Sequence, residues 1–218
     1  MSNFFKETDI DTSQAEAIVT ETLKNCDDGE LYLENHKSES IVLDDNKIKS
    51  STYNSDQGYG FRAVTGEVVA YSHSNDISKE SLRKSSDNLK DTLKSKKGTY
   101  NHEIPKTNSK YYENINPIES KTFDSKIDLL NSVNNYLRSK GSIVNQVTAN
   151  FLGEHKSIEI IRSDNQVLKD DRPLVRFNVS VVLEKDGKKE TGVYGVGGRG
   201  STFSFTLANC PAPPLCFL

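Results

Sequence analysis

Twenty-eight Lys and Arg against 31 Asp and Glu give this chain of 218 residues a net charge of −3, with both signs spread along it. No basic stripe suits nucleic acid, and no run approaches the roughly 18 apolar residues that cross a bilayer, so neither is expected as a partner. At 34% hydrophobic and 27% charged residues the chain is polar, but its apolar positions are patterned, which suits one large folded domain or two small ones rather than disorder.

The start, MSNFFKETDIDTS, carries no basic then apolar leader. Ser13 followed by Glu16 fits a capping box, and Ala15, Ile18, Val19, Thr22 and Cys26 recur at helical spacing, predicting a first helix to about Asn25. Cys26 reads as a small buried apolar group on that face. Short alternating runs follow. Leu31 and Leu33 share one face of a strand and Ile41 and Leu43 one face of the next, and Asp44-Asp45-Asn46 turns the chain into Lys47-Ile48-Lys49. Beyond Gly58 and Gly60, Phe61 to Val64 form another strand, and Thr65-Gly66-Glu67 turns it into Val68 to Tyr71.

Asp76 or Ser78 caps a second helix over about 79–94, with Leu82, Leu89 and Leu93 inward. Residues 96–117 are rich in Lys, Asn, Ser, Thr, Tyr and Pro and read as a long loop. A third helix is expected over 120–140, with Phe123, Ile127, Leu130 and Leu137 on one side and Gly141 ending it. Strands are then expected at 143–152, 157–162, 174–185 and 188–196, with Pro173 at a strand start. Clustered strands with helices between them give an α+β fold with a mostly antiparallel, mixed sheet flanked by about three helices.

Residues 200–218 contain no Asp, Glu, Lys or Arg, yet hold Cys210, Cys216 and three of the six prolines. An interdomain linker is ordinarily polar. The expectation is an aberrant tail read out of frame after Gly200; an apolar tail that docks on a partner is the alternative. Three cysteines form no even framework, which suits a reducing cytoplasm.

Two blocks carry more specific information. Residues 29–78 include Asp56-Gln57-Gly58-Tyr59-Gly60-Phe61-Arg62, and residues 171–199 run from Asp171-Arg172-Pro173-Leu174-Val175-Arg176 to Gly195-Val196-Gly197-Gly198-Arg199. Together, over roughly residues 15 to 199, they resemble the amino-terminal domain of the TldD branch of the TldD/PmbA (TldE) family of bacterial zinc metallopeptidases. The resemblance implies a mixed sheet flanked by helices, and residues 1–199 are expected to form that domain. It also implies that the intact family member uses zinc, held by a His-Glu-x-x-x-His motif downstream of the Gly-rich run. This chain stops short of that motif, so the catalytic domain is expected to be absent and the chain alone inactive. A PmbA/TldE-type subunit, or a homo-oligomer, is the implied partner, and unfolded or unstructured peptides are the implied substrate. The competing expectation is a non-catalytic module that binds a peptide or partner.

The residues themselves offer no catalytic centre. His36, His73, His102 and His155 are too far apart for one helix to present two of them to a metal, and Pro105 breaks any helix begun at His102-Glu103. They read as surface or turn residues, with His155 at a hairpin turn. No Gly-x-Ser-x-Gly elbow occurs, and the Gly195 to Gly200 run fits neither the Rossmann nor the P-loop spacing. Gly195, Gly197, Gly198 and Arg199 remain candidates for seating an extended peptide by strand addition, with a bulge or tight bend as the alternative. Asp56, Gln57, Gly58, Gly60 and Arg62 read as fold-maintaining, the glycines at bulges or turns and Arg62 as a structural ion-pair donor. Asp171, Arg172 and Pro173 are read in the same way.

Overall fold

The computed structural model describes residues 4–6, 8–94, 98, 112, 114–162, 164 and 166–200. Its elements are α1 (Thr12–Leu23), β1 (Asp28–Asp44), β2 (Lys47–Thr65), β3 (Val68–Ser74), α2 (Lys79–Leu93), α3 (Phe123–Arg138), β4 (Val144–Arg162), β5 (Val167–Lys185) and β6 (Lys188–Gly198). The strands bond in the order β3-β2-β1-β4-β5-β6. Two-residue turns join three neighbouring pairs. Asp45 and Asn46 (φ 50° and 68°), and Asp186 and Gly187 (φ 50° and 75°), take the left-handed conformations that match strand twist. Across β1 and β4 the cross-strand partners are Asp28–Arg162, Glu34–Lys156, Ser40–Asn150 and Asp44–Gln146. One member rises as the other falls, so this non-sequential pair is antiparallel too, and the fold is α+β.

The chain divides into two compact units: residues 1–36, 56–111 and 156–171, and residues 37–55, 112–155 and 172–218. The first is built around Val19, Leu23, Leu31, Leu33, Phe61, Leu82, Leu89 and Ile161. The second is built around Ile41, Leu43, Leu130, Val147, Phe151, Val175, Phe177 and Val181. Burying each such side chain contributes about 1.5–3 kcal/mol.

Both helices of the first unit start in the same way. The Gln14 N–H donates to Asp11 Oδ1 (2.8 Å) and the Asp11 N–H to Gln14 Oε1 (3.3 Å). The capping box is therefore Asp11/Gln14, not Ser13/Glu16. Ile10 before the cap and Ala15 after it are buried in one cluster, the arrangement of a hydrophobic staple that selects this starting point. Ser78 caps α2, again with an apolar pair, Ile77 and Leu82, around the cap.

Further expectations are corrected. The predicted pairs of short strands are single long ones in β1, β2 and β4, which run 17, 19 and 19 residues, and β5 starts earlier than the expected 174, at Val167. Polar residues in mid-strand resemble turns but are paired in place. His155 is one of these, 8% exposed within β4 and not at a turn, while Ser157 Oγ donates to Asp171 Oδ1 (2.7 Å) and Lys169 lies 3.0 Å from buried Glu159. Phe123 is 42% exposed, and α3 buries Lys126, Leu130, Val133, Asn134 and Leu137 instead. Phe123 shares the helical side of Leu130 but stands at the first residue of the helix, and in that first turn the buried side chain is Lys126. Pro173 lies inside β5. Odd-numbered β5 residues bond β6, as Lys185 does with Lys188 where the two-residue turn closes, so the position of the missing Pro173 N–H faces the β6 side, beyond the last β6 pair at Val175–Gly198. Gly58 and Gly60 lie in extended β2 with φ outside the left-handed region, and so are not turn residues. The expected loop at 96–117 falls mostly outside the described residues, as do His102 and residues 201–218 with Cys210 and Cys216.

Candidate functional site

The β5–β6 hairpin carries the Gly-rich candidates. Its register runs without a break from Lys185↔Lys188 to Val175↔Gly198. Antiparallel residues alternate between bonding their neighbour and pointing away. Because Lys185 and Lys188 close a two-residue turn and bond each other, the odd-numbered β5 residues serve β6, and their partners on β6 are even-numbered. The N–H and C=O groups of Lys189, Thr191, Val193, Gly195 and Gly197 therefore point away from β5. Among the described residues no strand pairs with that outer side.

The four candidates separate. Gly195 and Gly197 are on the open edge. Gly198 faces inward, opposite Val175. Arg199 lies past the strand end, its guanidinium 5.0 Å from the Tyr112 ring centroid. Sterics separate them too. A β-carbon on Gly195 would stand 2.7 Å from Asn178 Oδ1, and one on Gly197 would stand 2.9 Å from the Val175 carbonyl, whereas Gly198 has open space. The two open-edge glycines thus let neighbouring groups approach closely.

Beside this edge, on the face shared by Asn150, Asn178 and Gly195, lies a shallow groove of about 470 Å³. Thr148, Arg176, Ser180, Val193 and Tyr194 also line it. Arg176 Nε donates to Asn178 Oδ1 (3.0 Å), and Val193 is 75% exposed.

The second motif group serves other elements. Arg62 Nη2 donates to Asp28 Oδ2 (2.7 Å) and Arg162 Nη2 to Asp28 Oδ1 (2.8 Å). Glu30 lies within 3.5 Å of Arg62 and 3.7 Å of Arg162. One carboxylate is thus shared by two guanidiniums from the strands on either side. Gly58 and Gly60 make room for β3: β-carbons there would stand 2.8 Å from the Ser74 carbonyl and 2.5 Å from Tyr71 Oη. Asp56 and Gln57 are exposed on β2, and Arg172 is exposed on β5.

Sequence reasoning missed a buried pair. Lys126, 2% exposed, donates to Glu39 Oε2, 9% exposed, and to the Ile118 carbonyl (2.6 Å). No local pattern marks it, since its partners are 87 residues apart.

The titrating groups fit structural roles. Bonds from Gln146, Thr148 and Lys49 hold the Asp44 carboxyl down to about 2. The Lys37–Glu119 hydrogen bond (2.6 Å) raises the amine and lowers the carboxyl, and burial raises the Cys26 thiol. These shifts lead away from neutrality, unlike those of groups tuned for proton transfer. Among the described residues, no three His, Cys, Asp or Glu gather as metal ligands. No described helix is long and apolar enough to cross a membrane.

Comparison with known proteins adds the family. Residues 29–94 match the family model described as PmbA/TldA metallopeptidase domain 1, and residues 116–209 match the PmbA/TldA metallopeptidase central domain. A metalloprotease TldD homolog from Buchnera aphidicola subsp. Acyrthosiphon pisum is 35% identical over 185 residues, covering 84% of this chain and 38% of that relative. The Haemophilus influenzae homolog is 34% identical, covering 81% and 37%. The chain thus spans under two fifths of the length of these curated relatives. TldE from Thermococcus kodakarensis shares the fold at a TM-score of 0.63 and 12% identity, over 85% of this chain and 43% of that one. A protein from Thermotoga maritima, named for modulation of a DNA gyrase, does so at 0.68 and 10%, over 82% and 41%.

Proposed function

The chain belongs to the PmbA/TldD metallopeptidase family, and from that premise we propose that it is the part of a TldD-like peptidase that seats an extended, unstructured peptide. The observation that supports this most is the open backbone of β6, where Gly195 and Gly197 present N–H and C=O groups on an edge without side-chain bulk. An incoming strand gains main-chain hydrogen bonds there regardless of its sequence, which suits a peptidase acting on unfolded segments. Hydrolysis itself is assigned to zinc in the intact family member. The chain alone is expected to be inactive, since its histidine spacing builds no zinc site. A PmbA/TldE-type subunit or a second copy is the expected partner, and the cytoplasm the expected setting.

Fluorescence anisotropy with a labelled Ser/Thr/Val-rich peptide tests this reading. Saturable binding that disappears when alternate peptide nitrogens are methylated is expected. Equal binding of the methylated peptide contradicts strand addition, and zinc-dependent cleavage by the purified chain alone contradicts the assignment of hydrolysis elsewhere. A second reading, a free-standing binding module without catalysis, is favoured by the same open edge. Full peptide affinity without a partner subunit supports the module; affinity that appears only with one supports the peptidase part.

A further inference from the structure

The two glycines that open the edge also clear a path across it. Residues paired across an antiparallel ladder share a face, so Arg176 faces Gly197 and Asn178 faces Gly195. On that face β6 places no side chain between the polar groups of β5 and the open edge at these two positions. A strand added to β6 would run about 10 Å from β5, two strand spacings away. An extended arginine crosses most of that span when the intervening residue is glycine. Arg176 is already oriented: its Nε is held by Asn178 Oδ1 at 3.0 Å, which leaves both terminal nitrogens as donors. Arg176 is exposed, and among the described residues it has no carboxylate partner; nor has Arg199 at the same end of the hairpin.

We propose that Arg176, positioned by Asn178 and reaching over Gly197, binds a carboxylate of the added peptide, so that the β6 edge selects extended segments bearing Glu or Asp. This rests on the strand-addition reading above and adds its specificity-determining residue. The guanidinium fork matches a carboxylate in two parallel hydrogen bonds. Val193, further along the groove, offers apolar contact to a residue nearer the hairpin turn.

The test uses the 218-residue chain and two labelled Ser/Thr/Val peptides, identical except for one central Glu or Gln. Because an added strand is free to slide in register, one acidic residue suffices. The Glu peptide is expected to bind roughly three- to tenfold tighter at low salt, with the advantage shrinking at 0.5 M salt. Arg176→Gln should erase the preference, so that the Glu and Gln peptides bind alike, and Arg176→Lys should retain part of it. Unchanged unfolding midpoints in both variants separate this from loss of fold, as expected for an exposed side chain. Equal binding of the two peptides by the parent chain, or a Glu preference that survives Arg176→Gln, overturns this proposal and leaves strand addition standing. No binding of either peptide overturns both.

Discussion

The two units close their cores by different means. In the first, α1 and α2 each begin with an apolar pair around the cap, Ile10/Ala15 and Ile77/Leu82, and pack with buried hydroxyls such as Thr22–Ser86 (2.6 Å) and Tyr59–Ser85 (2.9 Å). In the second, the positions around the α3 cap are Lys121 and Lys126, and Lys126 reaches into the interior to Glu39. The first unit carries the motif glycines Gly58 and Gly60 packed beneath β3, whereas the second carries Gly195 and Gly197 on an edge that no described strand covers. Similar glycines therefore serve closure in one unit and opening in the other. Neighbouring strands, not residue type, decide which.

The contrast is broken most strongly at Lys126. Lys126→Met should cost about 3–5 kcal/mol in urea unfolding, because it strands the Glu39 carboxylate in the core. Adding Glu39→Leu should recover most of that loss. Strictly additive losses would mean that the pair is not coupled. In the first unit, Asp28→Ala leaves the Arg62 and Arg162 guanidiniums facing each other. The groups are partly exposed, so a loss of about 1 kcal/mol is expected, and it should shrink in 1 M salt.

At the second unit's hairpin, Asp44→Asn should cost about 1 kcal/mol at pH 7. The folded-state carboxyl is held down to about 2 from an ordinary 3.8. Its contribution is therefore complete above 3.8 and is lost as pH falls toward 2, where parent and variant should converge. The smallest effects sharpen the edge itself. Gly198→Ala should change stability by no more than about 0.5 kcal/mol, whereas Gly197→Ala pushes on the Val175 carbonyl and should cost about 1 kcal/mol or more.

Much of the fold was legible where local chemistry decides it. Ser78 with Leu82, Leu89 and Leu93 located α2, and Asp45-Asn46 and Asp186-Gly187 located hairpin turns, because their signals are complete within a few residues. Strand lengths were not legible. The stretch around His155 looks like a turn between strands at 143–152 and 157–162 until Asp171 and Lys169 are brought opposite Ser157 and Glu159 from β5. The α1 cap was ambiguous because Asp11/Gln14 and Ser13/Glu16 both satisfy the pattern, and burial of Ile10 chose between them. At the candidate site, the sequence marked Gly195, Gly197, Gly198 and Arg199 alike. Only the register distinguishes the two on the open edge, and only it brings Arg176 across from Gly197.

Hydrogen exchange along β6, with and without the Ser/Thr/Val peptide, tests the central claim most directly. The account predicts alternation: peptide slows exchange at Thr191, Val193, Gly195 and Gly197, while Gly192, Tyr194 and Val196, already bonded to β5, stay unchanged. Protection spread evenly over both sets, or confined to other strands while the peptide is bound, would contradict it.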